Sequence, residues 1–241
     1  MVGHSRATGG AKPSNPNIFT WSNGVAEGRW NQAALGSSPF NEKPGKPNNI
    51  AWHYADRLQH EYGGKVYLIG RPINGSTLLS WLDPDRENLG AFLEEVDAAL
   101  SKAPWGKDDR VIADSFLWSQ GESDDVEATM IKTPKHDSLL TYKAGFANLI
   151  ECLDSQPWFS RSETHFIATE LVDNGWLSAR NDFYRNQAHW PSGLNMHVAP
   201  SAGLNDIGDG AHYDGKSLAE IGKRMFDLRR SLAIHASKSE Q

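Results

Sequence analysis

Apolar residues recur along this chain with two periods, one typical of buried strands and one typical of amphipathic helices. Short apolar runs predict strands, and segments in which apolar residues return every three or four positions predict helices between them. The predicted strands cover residues 65–70, 110–118, 164–171 and 194–199, and the predicted helices cover residues 48–62, 87–103, 136–153, 176–190 and 215–236. Strands that alternate with helices usually pair in parallel, so the pattern predicts an α/β layered sandwich.

The N-terminal part of the chain has a different character. Residues 6–48 are rich in Gly, Pro, Asn and Ser, and they predict one hairpin with strands at 17–21 and 28–30 and a turn of sequence Ser-Asn-Gly at 22–24. No internal repeat or linker interrupts the chain, and its 241 residues suit one large domain. We therefore expect residues 1–241 to form a single domain.

Composition narrows the range of partners. A net charge of −6 and a pI near 5.8 argue against a nucleic-acid partner. No apolar stretch approaches the roughly 18 residues of a membrane span, and the N-terminus lacks the apolar core of a signal peptide. We expect no membrane partner, and a location that is either cytoplasmic or, as part of a larger protein, extracellular or in a virion. Cys152 stands alone in the sequence, which excludes an intrachain disulfide, and it is predicted to be a buried helix position.

A short motif near the C-terminus carries the first chemical signal. Residues 209–212 read Asp-Gly-Ala-His, on a turn that leads into the last predicted helix. An Asp at this spacing can direct its carboxylate at the ring, which fixes the tautomer and leaves the far nitrogen to take a proton from a nucleophile. Two further motifs lie upstream, Gly-His-Ser at 3–5 and Trp-Ser-Gln-Gly-Glu-Ser-Asp at 118–124. We expect these motifs to gather at the carboxyl edge of one sheet, where α/β folds place their sites.

The same C-terminal stretch also fits a nucleotide-binding pattern. Residues 210–217 match the Walker A motif, which needs a buried apolar strand running into its first glycine. Residues 201–209 are instead polar and Gly-rich, and the residues after 217 predict one helix rather than the further strands that such folds need. We therefore predict no nucleotide site. The sequence also has no Cys pair and no His-Glu-x-x-His motif, so we predict neither a metal nor another cofactor.

The three motifs resemble those of the SGNH (GDSL-like) hydrolases, in the branch of sialate O-acetylesterases and family 6 carbohydrate esterases. That branch carries Trp-x-Gln-Gly-Glu-Ser-Asp, as at 118–124, and Asp-Gly-x-His-Tyr, as at 209–213. Its loop Gly-x-Ser/Thr-x-x-x-Trp is similar to residues 75–81, and its opening Gly-Gln-Ser-Asn is similar to residues 3–6, with His4 and Arg6 as departures. The likeness runs from Gly3 to about Arg224, and it implies a three-layer αβα sandwich around a central parallel sheet, as in flavodoxin.

The resemblance implies a serine hydrolase with a Ser-His-Asp triad. Ser5 would be the nucleophile, His212 the base that takes its proton, and Asp209 the residue that orients His212. The backbone N–H groups of Ser5 and Gly75 and the side chain of Gln120 would form the oxyanion hole that stabilises the tetrahedral intermediate.

Two further groups of residues are expected around this centre. Glu122 either supports the Gln-Gly turn or serves as a second acid near His212. The chain has nine Trp residues, and those in loops at strand ends are candidates to line a sugar site. The candidate substrate-binding residues are Trp81, Asn174 and Trp176.

The sequence thus predicts a serine esterase that removes O-acetyl groups from a carbohydrate. The alternative is a catalytically inactive glycan-binding module of a larger protein, for example a phage tail protein, which the departures at His4 and Arg6 favour. Only two residues precede Gly3, where the resemblance implies a whole central strand. We therefore expect the first strand to be truncated. Either the native protein is truncated there, or the chain is part of a larger polypeptide. Turnover of an acetyl ester separates the two functions.

Overall fold

The computed structural model of the protein describes residues 14–22, 28–35, 49–86, 88–105, 109–173 and 178–239. Its strands are β1 (Ser14–Ser22), β2 (Arg29–Ala34), β3 (Val66–Leu68), β4 (Ser115–Trp118), β5 (His165–Thr169) and β6 (Met196–Ala199). Its α-helices are α1 (Ile50–Tyr62), α2 (Leu78–Leu82), α3 (Asn88–Ser101), α4 (Glu122–Met130), α5 (Lys135–Asp154), α6 (Ser178–Arg185) and α7 (Gly215–Ser239).

The chain divides into two compact units, which are described separately below. The first unit comprises Met1–Asn74, Asp83–Lys107 and Asn205–Lys223, and the second comprises Gly75–Leu82, Asp108–Leu204 and Arg224–Gln241. Each unit is built from several separate segments of the sequence, so neither can be recognised from a linker. Whether they act as the single domain that the sequence predicts stays a prediction.

The first unit contains a three-stranded sheet in the order β2-β1-β3. The predicted antiparallel pairing of the hairpin is confirmed by β1 and β2, and β3 pairs with β1 in parallel. Of the turn predicted at 22–24, Ser22 is the last residue of β1 and the other two residues lie outside the described part of the chain. Ile18 and Ala33 on this sheet are fully or almost fully buried and pack with Trp52 and Ala55 of α1. The predicted helix is confirmed as well. It begins at the N-cap Asn49, whose side chain accepts a hydrogen bond of 2.6 Å from the backbone N–H of Trp52.

The second unit contains a parallel sheet in the order β4-β5-β6, flanked by helices. Phe146 on α5 is fully buried, and its ring lies 5.5 Å from that of Phe166 on β5 and 6.5 Å from that of Trp118 on β4. Burial of each of these aromatic rings contributes roughly 2–3 kcal/mol to the stability of the fold, and their contacts pack α5 against the sheet. The predicted α/β class with a parallel sheet is therefore confirmed.

Several details differ from the sequence prediction. The described strands form two three-stranded sheets, so the expectation that all motifs follow the strands of one sheet is not confirmed. The strand that the resemblance places before Gly3 lies outside the described residues. The predicted helix 176–190 is interrupted, because the Asn186 side chain caps a separate 3-10 turn at Gln187–His189. Cys152 is exposed on α5 rather than buried. None of the described helices is long and apolar enough to cross a membrane.

Candidate active site

The Asp-Gly-Ala-His motif lies at the tip of a tight turn in the first unit. Asp206 and Tyr213 form an antiparallel bridge at its base, and the Ile207 N–H donates to the His212 carbonyl at 2.9 Å. Gly208 and Gly210 have φ values of 95° and 74°, which lie in the region that favours glycine. Glycines at these two positions therefore let the chain reverse within a few residues and bring the two ends of the motif together.

Within this turn, Asp209 contacts the ring of His212 as the spacing predicts. The two side chains are joined by a contact of 2.7 Å between Asp209 Oδ2 and His212 Nδ1. The other carboxylate oxygen accepts the backbone N–H groups of Ala211 and His212, each at 2.9 Å. A carboxylate at Nδ1 favours the tautomer that is protonated there, and this makes Nε2 the basic nitrogen of the ring.

The Asp209 carboxylate is held in its charged form. Partial burial alone would raise its pKa, but the hydrogen bonds from the two backbone N–H groups and the ring, with the neighbouring imidazole, lower the pKa below its usual value. The side chains of Asp209 and His212 are 40% and 37% exposed, so solvent or a ligand can reach them. A charged acceptor beside a reachable imidazole is the arrangement that a general base needs.

The residues that match the Walker A pattern form a different structure from a phosphate-binding loop. Asp214 precedes α7, and its Oδ1 accepts the backbone N–H of Ser217 at 2.7 Å. The Ser217 hydroxyl accepts the backbone N–H of Asn205 at 2.9 Å. In a P-loop these groups would serve phosphate and Mg²⁺, whereas here a carboxylate already occupies the helix N-terminus.

We therefore expect neither ATP nor GTP to bind at residues 210–217, because a phosphate would meet the Asp214 carboxylate at the backbone N–H of Ser217. Calorimetric titration with either nucleotide should show no binding at micromolar affinity. Lys216→Ala should leave ester hydrolysis within a few-fold of the wild type. Micromolar affinity that disappears in Lys216→Ala would overturn this expectation.

In the second unit, Gln120 lies two residues after the end of β4 and is only 6% exposed. Its Nε2 donates to the Ser76 carbonyl at 3.0 Å and to the Asp124 carboxylate. Its Oε1 accepts a hydrogen bond of 3.0 Å from the Tyr142 hydroxyl. Both N–H groups and the carbonyl of this amide are thus engaged, and its orientation is fixed.

Two buried tyrosines hold the backbone and side chain of Gln120 together. The Tyr184 hydroxyl donates to the Gln120 carbonyl at 2.6 Å, and it lies 2.8 Å from the Tyr142 hydroxyl. Burial raises the pKa of both hydroxyls above the usual tyrosine range, so both stay protonated and able to donate. The position of Gln120 is therefore set by groups on α5 and α6 as well as by its own strand.

The turn after Gln120 depends on a glycine and a buried ion pair. Gly121 has a φ of 134°, and a side chain there would place its Cβ 2.7 Å from Arg180 Cγ. Arg180 is fully buried, and its Nε donates to Asp125 Oδ1 at 2.8 Å. Its guanidinium also lies 4.3 Å from the centre of the Tyr142 ring. The sequence analysis missed Arg180 and Asp125, and only the position of Asp125 beside the motif could have pointed to them.

The loop around Gly75 faces Gln120 through Ser76. Gly75 is exposed and has a φ of 68°, which again favours glycine. The Trp81 indole N–H donates to the Ser76 hydroxyl at 3.0 Å, and its ring packs at 5.8 Å from that of Trp118. Trp81 is only 9% exposed. Its burial and its hydrogen bond hold this loop in place, and its predicted role in sugar binding stays a prediction.

The remaining predicted site residues are placed as follows. Glu122 is the first residue of α4 and is half-buried. Ser5, with its neighbours His4 and Arg6, lies outside the described residues, as do Asn174 and Trp176. In the part of the chain that the structure describes, no group of His, Cys, Asp and Glu side chains is arranged to hold a metal ion.

The sequence analysis missed the carboxylate of Glu170. This carboxylate connects the segments that follow β5 and β6. Glu170, the residue after β5, accepts two hydrogen bonds from Arg185, at 2.8 and 3.0 Å. It also accepts the backbone N–H and hydroxyl of Ser201, at 3.0 and 2.9 Å. Burial would raise the pKa of Glu170, but these bonds lower it and keep the carboxylate charged. The segment that leaves β6 is thereby anchored at its start.

Comparison with known families assigns this chain. A family model described as carbohydrate esterase, sialic acid-specific acetylesterase (SASA) matches residues 4–230, nearly the whole sequence. The chain belongs to the SASA family. This membership confirms the resemblance drawn from the motifs, and it identifies the protein as an ester hydrolase of a carbohydrate esterase family.

Among solved structures, one supports the fold of this SASA-family chain. A protein from Arabidopsis thaliana superposes with a TM-score of 0.66 at 15% sequence identity, covering 90% of this chain and 82% of its own. A lipase from a goat rumen metagenome gives a TM-score of 0.48 at 12% identity, over 79% of this chain and 89% of its own. A search of curated proteins finds no match. At 15% identity the similarity to the Arabidopsis protein concerns the fold and not the substrate.

Proposed function

We propose that this protein removes O-acetyl groups from a carbohydrate by a serine mechanism. The observation that carries the proposal is the contact of 2.7 Å between Asp209 and the His212 ring, within a chain that belongs to a carbohydrate esterase family. An imidazole oriented by a charged carboxylate is the group that activates a serine hydroxyl.

The proposed reaction has two halves. His212 Nε2 takes the proton of the Ser5 hydroxyl as Ser5 attacks the acetyl carbonyl, and then gives that proton to the departing sugar hydroxyl. The acetyl group is now bonded to Ser5. Water attacks this ester with the same base, releases acetate and restores the serine. Asp209 stays ionised throughout and stabilises the imidazolium that forms in each half.

The negative charge that develops on the acetyl oxygen needs donors. We assign this role to the backbone N–H groups of Ser5 and Gly75 and to the Gln120 side chain. In the resting protein one N–H of Gln120 donates to the neutral Ser76 carbonyl and the other to the Asp124 carboxylate. An oxyanion carries more charge than a carbonyl oxygen, so it competes for the first of these N–H groups in the transition state.

Gln120→Ala is expected to lower kcat by about 10²–10³-fold with little change in KM, because the ground-state carbonyl gains little from this donor and the oxyanion gains much. Gln120→Glu should be worse than Ala, since it sets a carboxylate against the developing charge and against the Asp124 carboxylate. Steady-state kinetics on a soluble acetylated sugar measure both effects. A rise in KM alone, with kcat intact, would make Gln120 a substrate-binding residue.

The substrate is the part of the proposal that turnover tests directly. The purified protein should release acetate from O-acetylated sialic acids or from other acetylated sugars, measured with a coupled acetate assay against the same sugars without acetyl groups. Acetate release with saturation kinetics supports the proposal. Binding of the sugars without acetate release would instead favour a glycan-binding module, consistent with the departures at His4 and Arg6.

A further inference from the structure

The carboxylate of Asp124 connects two parts of the second unit. Asp124 lies four residues after Gln120, near the start of α4, and accepts a hydrogen bond from Gln120 Nε2. Its two oxygens each lie 3.1 Å from the backbone nitrogen of Leu78, the first residue of α2. One carboxylate therefore connects the segment after β4 to the segment that carries Gly75 and leads into α2.

The hydrogen-bond partners of Gln120 determine the positions of the nitrogen and the oxygen of its side-chain amide. An amide oxygen and an amide nitrogen have similar shapes, so only hydrogen bonding distinguishes the two orientations. The Asp124 carboxylate and the Ser76 carbonyl can only accept, and both contact Nε2. A flipped amide would set its oxygen against both acceptors and leave its NH₂ against the Tyr142 hydroxyl, which donates to Oε1 in the observed orientation.

We propose that Asp124 is a positioning residue of the oxyanion hole. It holds one N–H of Gln120, so that the other, which donates to the Ser76 carbonyl in the resting protein, is the one available to the developing charge. The inference rests on the proposed role of Gln120. Asp124 affects the reaction through the side-chain amide of Gln120 and does not itself contact the substrate. The carboxylate is the stronger of the two acceptors at Nε2, so it keeps its N–H while the oxyanion competes with the Ser76 carbonyl for the other.

The electrostatics around Asp124 agree with this role. Burial raises the pKa of Asp124 to about 6, although the hydrogen bonds from Gln120 and Leu78 and the charge on Arg180 act in the opposite direction and Asp125 adds to the rise. At neutral pH the charged form, which can only accept hydrogen bonds, is therefore the major one. This form accepts from Gln120 and Leu78 together.

A purely structural role for Asp124 would be to cap α2 through Leu78, and the chain offers a matched control for it. Thr77 Oγ1 accepts the backbone N–H of Ser80 at 3.1 Å, so Thr77→Val also removes a hydrogen bond from the first turn of α2. That substitution leaves the contact between Gln120 and Asp124 in place. Loss of a cap and loss of amide orientation can thus be measured separately.

The test compares Asp124→Asn, Thr77→Val, Gln120→Ala and the double variant Gln120→Ala with Asp124→Asn, on p-nitrophenyl acetate. Asn has the same shape as Asp, but its NH₂ group cannot accept a hydrogen bond. In either orientation of the Asn amide, this NH₂ faces an N–H group, that of the Gln120 side chain or that of the Leu78 backbone. We expect Asp124→Asn to lower kcat by about 10–100-fold with KM little changed. Thr77→Val should keep kcat within a few-fold. In the Gln120→Ala background, Asp124→Asn should change kcat by less than about twofold, because the amide through which it acts is gone.

The outcomes separate the inference from the proposed function. Multiplicative losses in the double variant, or an equal loss in Thr77→Val, would show that Asp124 acts only on the fold and would overturn the inference. A wild type that cleaves p-nitrophenyl acetate but releases no acetate from sugars defeats the proposed substrate and leaves this test intact. A second measurement needs no turnover. The side-chain amide proton of Gln120 in the NMR spectrum should shift upfield in Asp124→Asn, and an unchanged resonance would also overturn the inference.

Discussion

Replacement of His212 by alanine is expected to reduce kcat/KM for an acetyl ester by about 10⁴-fold. In the proposed mechanism the ring takes the serine proton and returns it to the leaving sugar hydroxyl. Asp209→Asn should lose about 10²–10⁴-fold, because an amide favours the wrong tautomer of the ring and cannot stabilise the imidazolium. Steady-state kinetics on p-nitrophenyl acetate give both values.

The first unit offers a matched control for these substitutions. His60 is an exposed helix residue whose ring lies 3.5 Å from Asp56 Oδ1, so it also forms a His-Asp pair. His60→Ala should leave kcat/KM within a few-fold of the wild type. Combining Ser5→Ala with His212→Ala should add little to either single loss, since residues that act as one unit are not additive. A double variant much slower than both single variants would contradict a shared proton transfer.

Ser5→Ala is the second substitution with a very large expected effect, again about 10⁴-fold or more in kcat/KM. In the proposed mechanism no acetyl-enzyme can form without this hydroxyl, and the oxyanion donors account for the residual activity. Ser231→Ala is the control, because Ser231 is exposed on α7 and its hydroxyl donates to the Leu228 carbonyl of the same helix. Wild-type kcat/KM in Ser5→Ala would show that another residue is the nucleophile.

Much of the fold could be predicted from the sequence because its elements have strong periodic patterns. The helices α1, α3, α5 and α7 and the strands β3 to β6 were all predicted, with ends that differ by a few residues. The helix α4 was missed because it begins inside the Gln-Gly-Glu motif and carries few apolar residues. Its first turn holds Glu122, Asp124 and Asp125 instead, and acidic residues there stabilise a helix through its dipole.

The candidate site was predictable only where its contacts are local. Asp209 and His212 are three residues apart, so their spacing on a turn already implied the contact. Arg180 lies 55 residues from Asp125, and Tyr184 lies 64 residues from Gln120. Contacts at such separations are set by tertiary packing, which a single sequence does not encode in any spacing. The buried aromatic and ionic support of Gln120 therefore became visible only in the structure.

The burial of Trp81 is a further property that depends on tertiary packing and could not be predicted from the sequence. A Trp in a loop after a strand is a reasonable candidate for stacking on a sugar. Its burial against Trp118 and its hydrogen bond to Ser76 depend on how α2 packs. The structural environment of Trp81 was therefore not predictable from its position in the sequence, and its role in sugar binding stays a prediction.

Covalent trapping tests the central claim, a serine esterase acting through Ser5, most directly. The protein is incubated with a fluorophosphonate and digested, and the modified peptide is sequenced by mass spectrometry. Acetate release from an O-acetylated sugar is measured in parallel. We predict one modified residue, Ser5, with acetate release lost in proportion to labelling and no labelling in His212→Ala. Full labelling of another serine, or complete loss of acetate release without any label on Ser5, would contradict this account.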